Sequence, residues 1–305
     1  MLPLVAMRPY IAILRPNNIL LTLFTQGVFM IAASRTGYFS INGSNIIWPD
    51  ALFIVLTCCF TAAGGYVIND LFDVETDHIN RPNKRILKQN ISHKAAIAYY
   101  IVLTALGQIF GYMAGLGIGL FSSAIAILLY FYSSDLKAMG LPGNSLIAFM
   151  SGSVIYIASR GIHEIHSAYF AEYAFLAFLL TLARELVKDA EDIEGDKEQG
   201  CETFPIVHGT RKTHILSNVI LGLICLFLIS AAYLLSIDPF IDQKTPIELH
   251  RLMFPAFLIF CLVPMILKSM WMIVNAQSKR DYKKISKWIK FTMLMGLVSV
   301  LFSAP

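Results

Sequence analysis

An all-α membrane protein of nine spanning helices is the fold this sequence predicts, and three observations predict it. Apolar segments of about 20 residues, the length that crosses a bilayer, recur from end to end of the 305-residue chain. Charged residues make up only 14% of it and the mean hydropathy is +0.64, whereas a soluble domain carries about 25% charge. The basic residues fall almost entirely on one side of the segments so defined. Because no stretch reads as a separate soluble domain, residues 1–305 form a single membrane domain in this reading.

The spans follow in order. The first is 12–34 and the second, 48–70, ends on an aspartate. Spans 94–115 and 117–134 are divided by Gly115 and Gly117, a turn signal without which they would read as one long helix. After the short loop YSSDLKAMGLPGN comes 144–160, then 169–188, which closes on Lys188. The remaining spans are 213–236, 252–274 and 286–303. Lys287 and Lys290 enter the first turns of the last span, where lysines can snorkel to the interface. The N-terminus shows no short apolar region with a small-residue cleavage site and reads as mature sequence.

Nine spans put the N-terminus and every second loop on one side. That side holds 20 of the 24 basic residues, leaving Arg35, Arg160, Lys244 and Arg251 opposite. Positive loops face the cytoplasm, so the N-terminus is cytoplasmic. The cations thus mark orientation in a lipid bilayer, and no nucleic-acid partner is expected. The five cysteines form no CxxC pair, and Cys58, Cys59, Cys225 and Cys261 lie in apolar runs as small hydrophobes.

Against this apolar background two strings share one spacing. Asp70, Asp73 and Asp77 occur in NDLFDVETD, and Asp189, Asp192 and Asp196 in KDAEDIEGD. The first follows the second span and the second follows the sixth, both in loops on the cytoplasmic side. On a helix, i, i+3, i+7 spacing aligns three carboxylates on one face. Like charges so crowded repel and resist desolvation unless a cation sits among them. Hard oxygen donors suit Mg²⁺, which takes one or two carboxylates together with water and substrate phosphate oxygens. Asn69 would add an amide oxygen. The acids and Asn69 are therefore candidate metal ligands, with the six aspartates as the catalytic set.

Cations stand beside them as candidate phosphate partners. Arg81 follows Asp77 in DHINRPNKR, Arg184 and Lys188 share a helical face with Asp192, and Lys137 lies in a tight loop flanked by Tyr132 and Asn144. Arg holds phosphate oxygens as a bidentate fork. Two classes compete on these residues. A cation transporter also pairs acids in a helical bundle, but its sites lie near mid-membrane on broken helices. A CDP-alcohol phosphatidyltransferase would open its motif with DGxxAR, which is absent here.

With the two motifs in view, the chain resembles the UbiA-type intramembrane prenyltransferases, whose hallmarks are NDxxDxxxD after the second helix and DxxDxxxD after the sixth. The run ARELVKDAEDIEGDKEQGCETFPIVHG, with DHINRP and LKAMGLPGN, is similar to the branch of digeranylgeranylglyceryl phosphate synthases. One departure stands out: the chain reads NRPNKRILKQNIS where family members commonly continue NRPxRPIPxG, so Lys84 and Arg85 keep charge without the proline turn. The resemblance implies nine helices around a central cavity, with the Asp motifs facing each other at its cytoplasmic mouth. It also implies Mg²⁺-dependent transfer of a prenyl group, geranylgeranyl in this branch, from its diphosphate to a membrane-soluble acceptor. That acceptor is geranylgeranylglyceryl phosphate in this branch. It is an aromatic ring or a chlorophyll precursor in others. The setting implied is a prokaryotic plasma membrane.

Overall fold

Backbone in hydrocarbon finds no water to bond, so it satisfies its own polar groups by forming helices. The structure, a computed structural model, describes residues 4–35, 48–74, 90–158, 167–241 and 249–303, and its apolar segments are helical. A short α1 (Leu4–Ile13) leads into α2 (Pro16–Arg35) and α3 (Trp48–Phe72). Then come α4 (His93–Ala114), α5 (Leu116–Ser134), α6 (Leu141–Ala158) and α7 (Ser167–Glu198). The one-turn α8 (Phe204–His208) precedes α9 (Thr210–Ile241). Next, α10 (Leu249–Phe257) runs through a π-turn at Leu258–Leu262 into α11 (Val263–Val274), and α12 (Lys279–Ser303) closes the chain.

Seven helices among the described residues are long and apolar enough to cross a membrane: α3, α4, α5, α6, α9, the α10–α11 run and α12. This is an integral membrane protein. The remaining two of the nine expected spans fall on α2 and α7, which lie outside that set. α7 has 32 residues, with Glu172 inside its apolar part and nine further charges from Arg184 to Lys197. The outward faces agree with a lipid setting: Leu116 is 70% exposed, Trp271 67% and Phe260 82%, exposures that mark a buried-in-lipid surface rather than a wet one.

Local signals explain the breaks. Ser92 caps α4 by accepting a hydrogen bond from the Ala95 amide at 3.3 Å. Between α4 and α5 the backbone at Gly115 has φ +140°, a conformation left to glycine, which confirms the expected division there. The π-turn precedes Pro264, the second residue of α11, which has no amide hydrogen to give to the helix.

Without a hydrophobic drive between helices in lipid, small residues set the packing distance. A Cβ on Gly64 would stand 2.6 Å from the Thr104 hydroxyl, and one on Gly107 would stand 2.7 Å from that of Thr61. α3 and α4 therefore meet nearly backbone to backbone. The main core joins α7, α9, α11 and α12 through Leu186, Leu221, Ile224, Ile266 and Ile289. A second cluster ties α2 to α7, with the Phe29 and Phe170 rings 5.0 Å apart. In the same region buried Gln26 donates to the Val154 carbonyl at 2.6 Å, fastening α2 to α6. The result places α7 against α6, α9 and α12, with its charged end beside the end of α3.

Candidate active site

Both aspartate strings were expected in loops. The structure instead carries Asp189, Asp192 and Asp196 on α7 itself, which runs unbroken to Glu198. The physical reason is in the residues: KDAEDIEGDKE has no proline, and Lys188 stands four residues before Asp192, a stabilising spacing on a helix. In the first string Asn69 and Asp70 lie in the last turn of α3. Asp73 sits just beyond its end, its amide bonded to the Asn69 carbonyl at 2.9 Å. Asp77 and Arg81 lie outside the described residues.

One cavity of about 820 Å³ gathers the rest. Asn69, Asp70 and Asp73 line it from α3, and Tyr132 from α5. Lys137 enters from the 3₁₀ turn Leu136–Met139, and Asn144 from α6. Arg184, Lys188, Asp189, Asp192 and Asp196 come from α7. Every described residue singled out from the sequence is thus brought to one space. Its polar mouth gives way to a mainly apolar body along α6, from Asn144 past Ile147, Met150 and Val154 to Ile157, with Ser151 and Ser153 between them. Thirteen residues of helix rise make that body about 20 Å long.

The acids at the mouth have defined partners. Arg15 pairs with Asp70 at 2.5 Å and lies over the Tyr66 ring, 5.2 Å from its centroid. Lys137 pairs with Asp73, which also accepts from the Asn69 amide at 2.6 Å. On the facing helix the Asn144 amide donates to Asp189 at 2.7 Å. Buried Glu185 accepts from Arg184 at 2.6 Å and from Lys188 at 3.2 Å. Two of these organisers, Arg15 and Glu185, were not foreseen as site residues. Arg15 counted only as an orientation marker. Its one local peculiarity is a φ of +53° in the turn before Pro16, which directs it back toward α3.

The donor set fits a hard divalent cation. The acids are carboxylates with an amide nearby, hard oxygen donors of the kind Mg²⁺ takes. Asp196 lies more than three turns past Ala183, where the apolar part of α7 ends. Burial first, and then Asp192, push its carboxyl up to about 6, so negative charge there is poorly compensated by the protein alone. Among the described residues no three acids are close enough to share one ion. The two sets face each other across the mouth, with Arg15, Lys137, Asn69 and Asn144 bonded between and beside them.

Sequence comparison decides the family. The profile of the UbiA prenyltransferase family matches residues 27–297. The chain belongs to that family. As a UbiA family prenyltransferase it has archaeal relatives along nearly its whole length. It is 33% identical to the digeranylgeranylglyceryl phosphate synthase of Methanosphaera stadtmanae, covering 98% of this chain and 100% of that one. To the enzyme of the same name from Methanothermobacter thermautotrophicus it is 34% identical, over 96% and 95% of the two chains. Among solved structures, one described as digeranylgeranylglyceryl phosphate synthase in membranes superposes with a TM-score of 0.66, at 24% identity and 99% coverage of both chains. A UbiA homolog from Archaeoglobus fulgidus, bound to DMAPP and Mg²⁺, gives 0.60 at 18% identity, covering 95% of this chain and 98% of that one. These likenesses are of fold.

Proposed function

We propose that the chain transfers a geranylgeranyl group from its diphosphate to the hydroxyl of geranylgeranylglyceryl phosphate, forming an ether lipid. The observation that carries this reading is the single cavity with an acid-and-cation mouth and an apolar body about 20 Å long. The identity to the archaeal synthases over the whole chain supports the choice of acceptor. On the same reading α2 and α7 also cross the bilayer, giving nine spans around the cavity in one domain, with the mouth and N-terminus cytoplasmic.

Asp70, Asp73, Asp189, Asp192 and Asp196 would hold Mg²⁺, with Asn69, and Asp77 would join them from outside the described residues. When bound, Mg²⁺ neutralises charge that develops on the departing diphosphate. Lys137, Arg184 and Lys188 bind the outer diphosphate oxygens, with Arg81 as a further candidate. Tyr132 and Asn144 shape the mouth, Asn144 by fixing Asp189. The apolar body holds the prenyl tail and keeps water from an allylic cation. The bond from C1 to the diphosphate oxygen breaks, C1 bonds to the acceptor hydroxyl oxygen, and the hydroxyl proton leaves with the pyrophosphate.

The test is prenyl transfer by the purified protein with Mg²⁺ and geranylgeranyl diphosphate. Geranylgeranylglyceryl phosphate, hydroxybenzoate and dihydroxynaphthoate are offered together and the products read by mass spectrometry. The lipid phosphate is expected to be prenylated, and Asp70→Ala and Asp189→Ala each to abolish turnover. Unchanged transfer in both variants would sink the metal-clamp model, and a prenylated ring would replace the acceptor.

A further inference from the structure

A second cavity, of about 420 Å³, lies on the other side of Arg184, between α2, α7, α9, the α10–α11 run and α12. It holds no aspartate. Its walls are largely apolar, with Leu176, Leu180, Leu228, Phe254 and Leu297 among them, and its one carboxylate, Glu172, stands at the far end from Arg184. The two cavities adjoin along a shared neck, where Asn18, Thr22, Tyr66, Ser151, Val154, Thr181 and Arg184 line both. Lys290 lines only the second. The lysines before it on α12, Lys279, Lys283, Lys284 and Lys287, are exposed, whereas Lys290 is half-buried and donates to the Asn18 side-chain oxygen.

The charge around that neck is one-sided. Arg15 and Arg184 are the charged groups close enough to act on Lys290. Arg15 is answered by Asp70 and Arg184 by Glu185, but among the described residues no carboxylate pairs with Lys290. The Arg184 Nε is buried and has no partner. Two donors with unspent capacity at the rim of an apolar cavity make an anion subsite with a tail groove attached. From Arg184 back to Glu172, the cavity follows α7 for twelve residues, about 18 Å. One leaflet of a bilayer's hydrocarbon is about 15 Å deep, so a single-chain lipid fits with its head at the neck and its tail along the groove.

We infer that Lys290, with Asn18 and the unpaired Nε of Arg184, whose other nitrogens face the donor diphosphate, binds the phosphate of the acceptor lipid, and that the second cavity holds its tail while the donor occupies the first. Each substrate then has its own apolar chamber, and the reacting ends meet at the neck. This rests on the proposed acceptor, and it makes Lys290 a specificity-determining residue. An aromatic acid has no long tail to fill the groove.

The full chain in nanodiscs is assayed with geranylgeranyl diphosphate and geranylgeranylglyceryl phosphate varied in turn. Lys290→Met is expected to raise KM for the lipid phosphate about tenfold or more, the loss of one charge-assisted contact. KM for the diphosphate should change little, and Lys290→Arg should restore the wild-type value. Gly296→Leu tests the groove separately. Gly296 lines the cavity and a Cβ there meets nothing within 4 Å, so the larger side chain has its first atom in open space, takes up groove volume and should raise the same KM. Binding of geranylgeranylglyceryl phosphate without donor, read by native mass spectrometry, should weaken in both variants. Unchanged lipid binding and KM in both, or a rise confined to the diphosphate, overturns the assignment. Wild-type protein that binds the lipid phosphate but prenylates a ring defeats the proposed reaction while leaving the subsite standing.

Discussion

Glu185 shows how one carboxylate can organise two cations. It is 6% exposed on α7 and accepts from both Arg184 and Lys188. Glu185→Gln keeps the shape and removes the charge, leaving both cations short of a counter-ion. The expected cost is about 2 kcal/mol, below the usual figure for a broken buried pair because both partners are partly exposed. Thermal unfolding in detergent should record it, together with weaker diphosphate binding. Asp196 bears on pH. Its carboxyl lies above the ordinary 3.8, at about 6, so folding takes up a proton between those values. Its ionised form therefore destabilises the protein without a cation. That stability is fullest below pH about 3.8 and is lost as pH rises through 6. Proton and cation then compete. At pH 5.5 the Mg²⁺ concentration for half-activity should be about fourfold that at pH 7.5, and Asp196→Asn should flatten the difference. An equal requirement at both pH values would remove Asp196 from the metal site.

At the scale of elements, much of the site was legible because helix period is. The i, i+3, i+7 spacing that aligned the aspartates in sequence does so on α7, and Lys137 and Asn144 come to the same cavity from either end of a glycine-marked turn. Less legible was what depends on how helices approach. Lys290 is 272 residues from its partner Asn18, and nothing local distinguishes it from Lys287 except where α12 meets α2. The extension of α7 through the second motif was hidden by charge, which hydropathy reads as loop although its Lys, Ala and Glu residues favour helix. The approach of α3 to α4 supplies a test at this scale. Gly107→Leu must push against the Thr61 hydroxyl at 2.7 Å and its backbone amide at 3.0 Å. With backbone in the way, the helices must separate, carrying Asn69 and Asp70 with α3. Loss of folded protein or of activity is expected, whereas Gly222→Ala, whose nearest neighbour is the Met270 methyl at 3.9 Å, should be tolerated.

For the whole molecule, orientation couples the charge distribution to the site. All the described acids of the two motifs lie at one end of the bundle, together with Lys137, Lys188 and the start of α12. In the proposed nine-span topology, which divides the basic residues 20 to 4, that end faces the cytoplasm, the side on which a water-soluble pyrophosphate would leave. Cys201, just past α7, reports on this without any engineering. It is partly exposed, as is Cys261 inside the apolar α10–α11 run, out of reach of a polar reagent, whereas Cys58, Cys59 and Cys225 are buried. Burial and the nearby Asp196 raise its thiol above 9.0, so labelling calls for mildly alkaline conditions. A membrane-impermeant maleimide should therefore modify the protein in inside-out vesicles and spare it in sealed right-side-out ones, with Cys201→Ser as the unlabelled control. Because the thiol borders the aspartate mouth, a prenyl diphosphate with Mg²⁺ should slow the modification. Labelling from the outer face would reverse the topology and place the site, and pyrophosphate release, on the other side of the membrane.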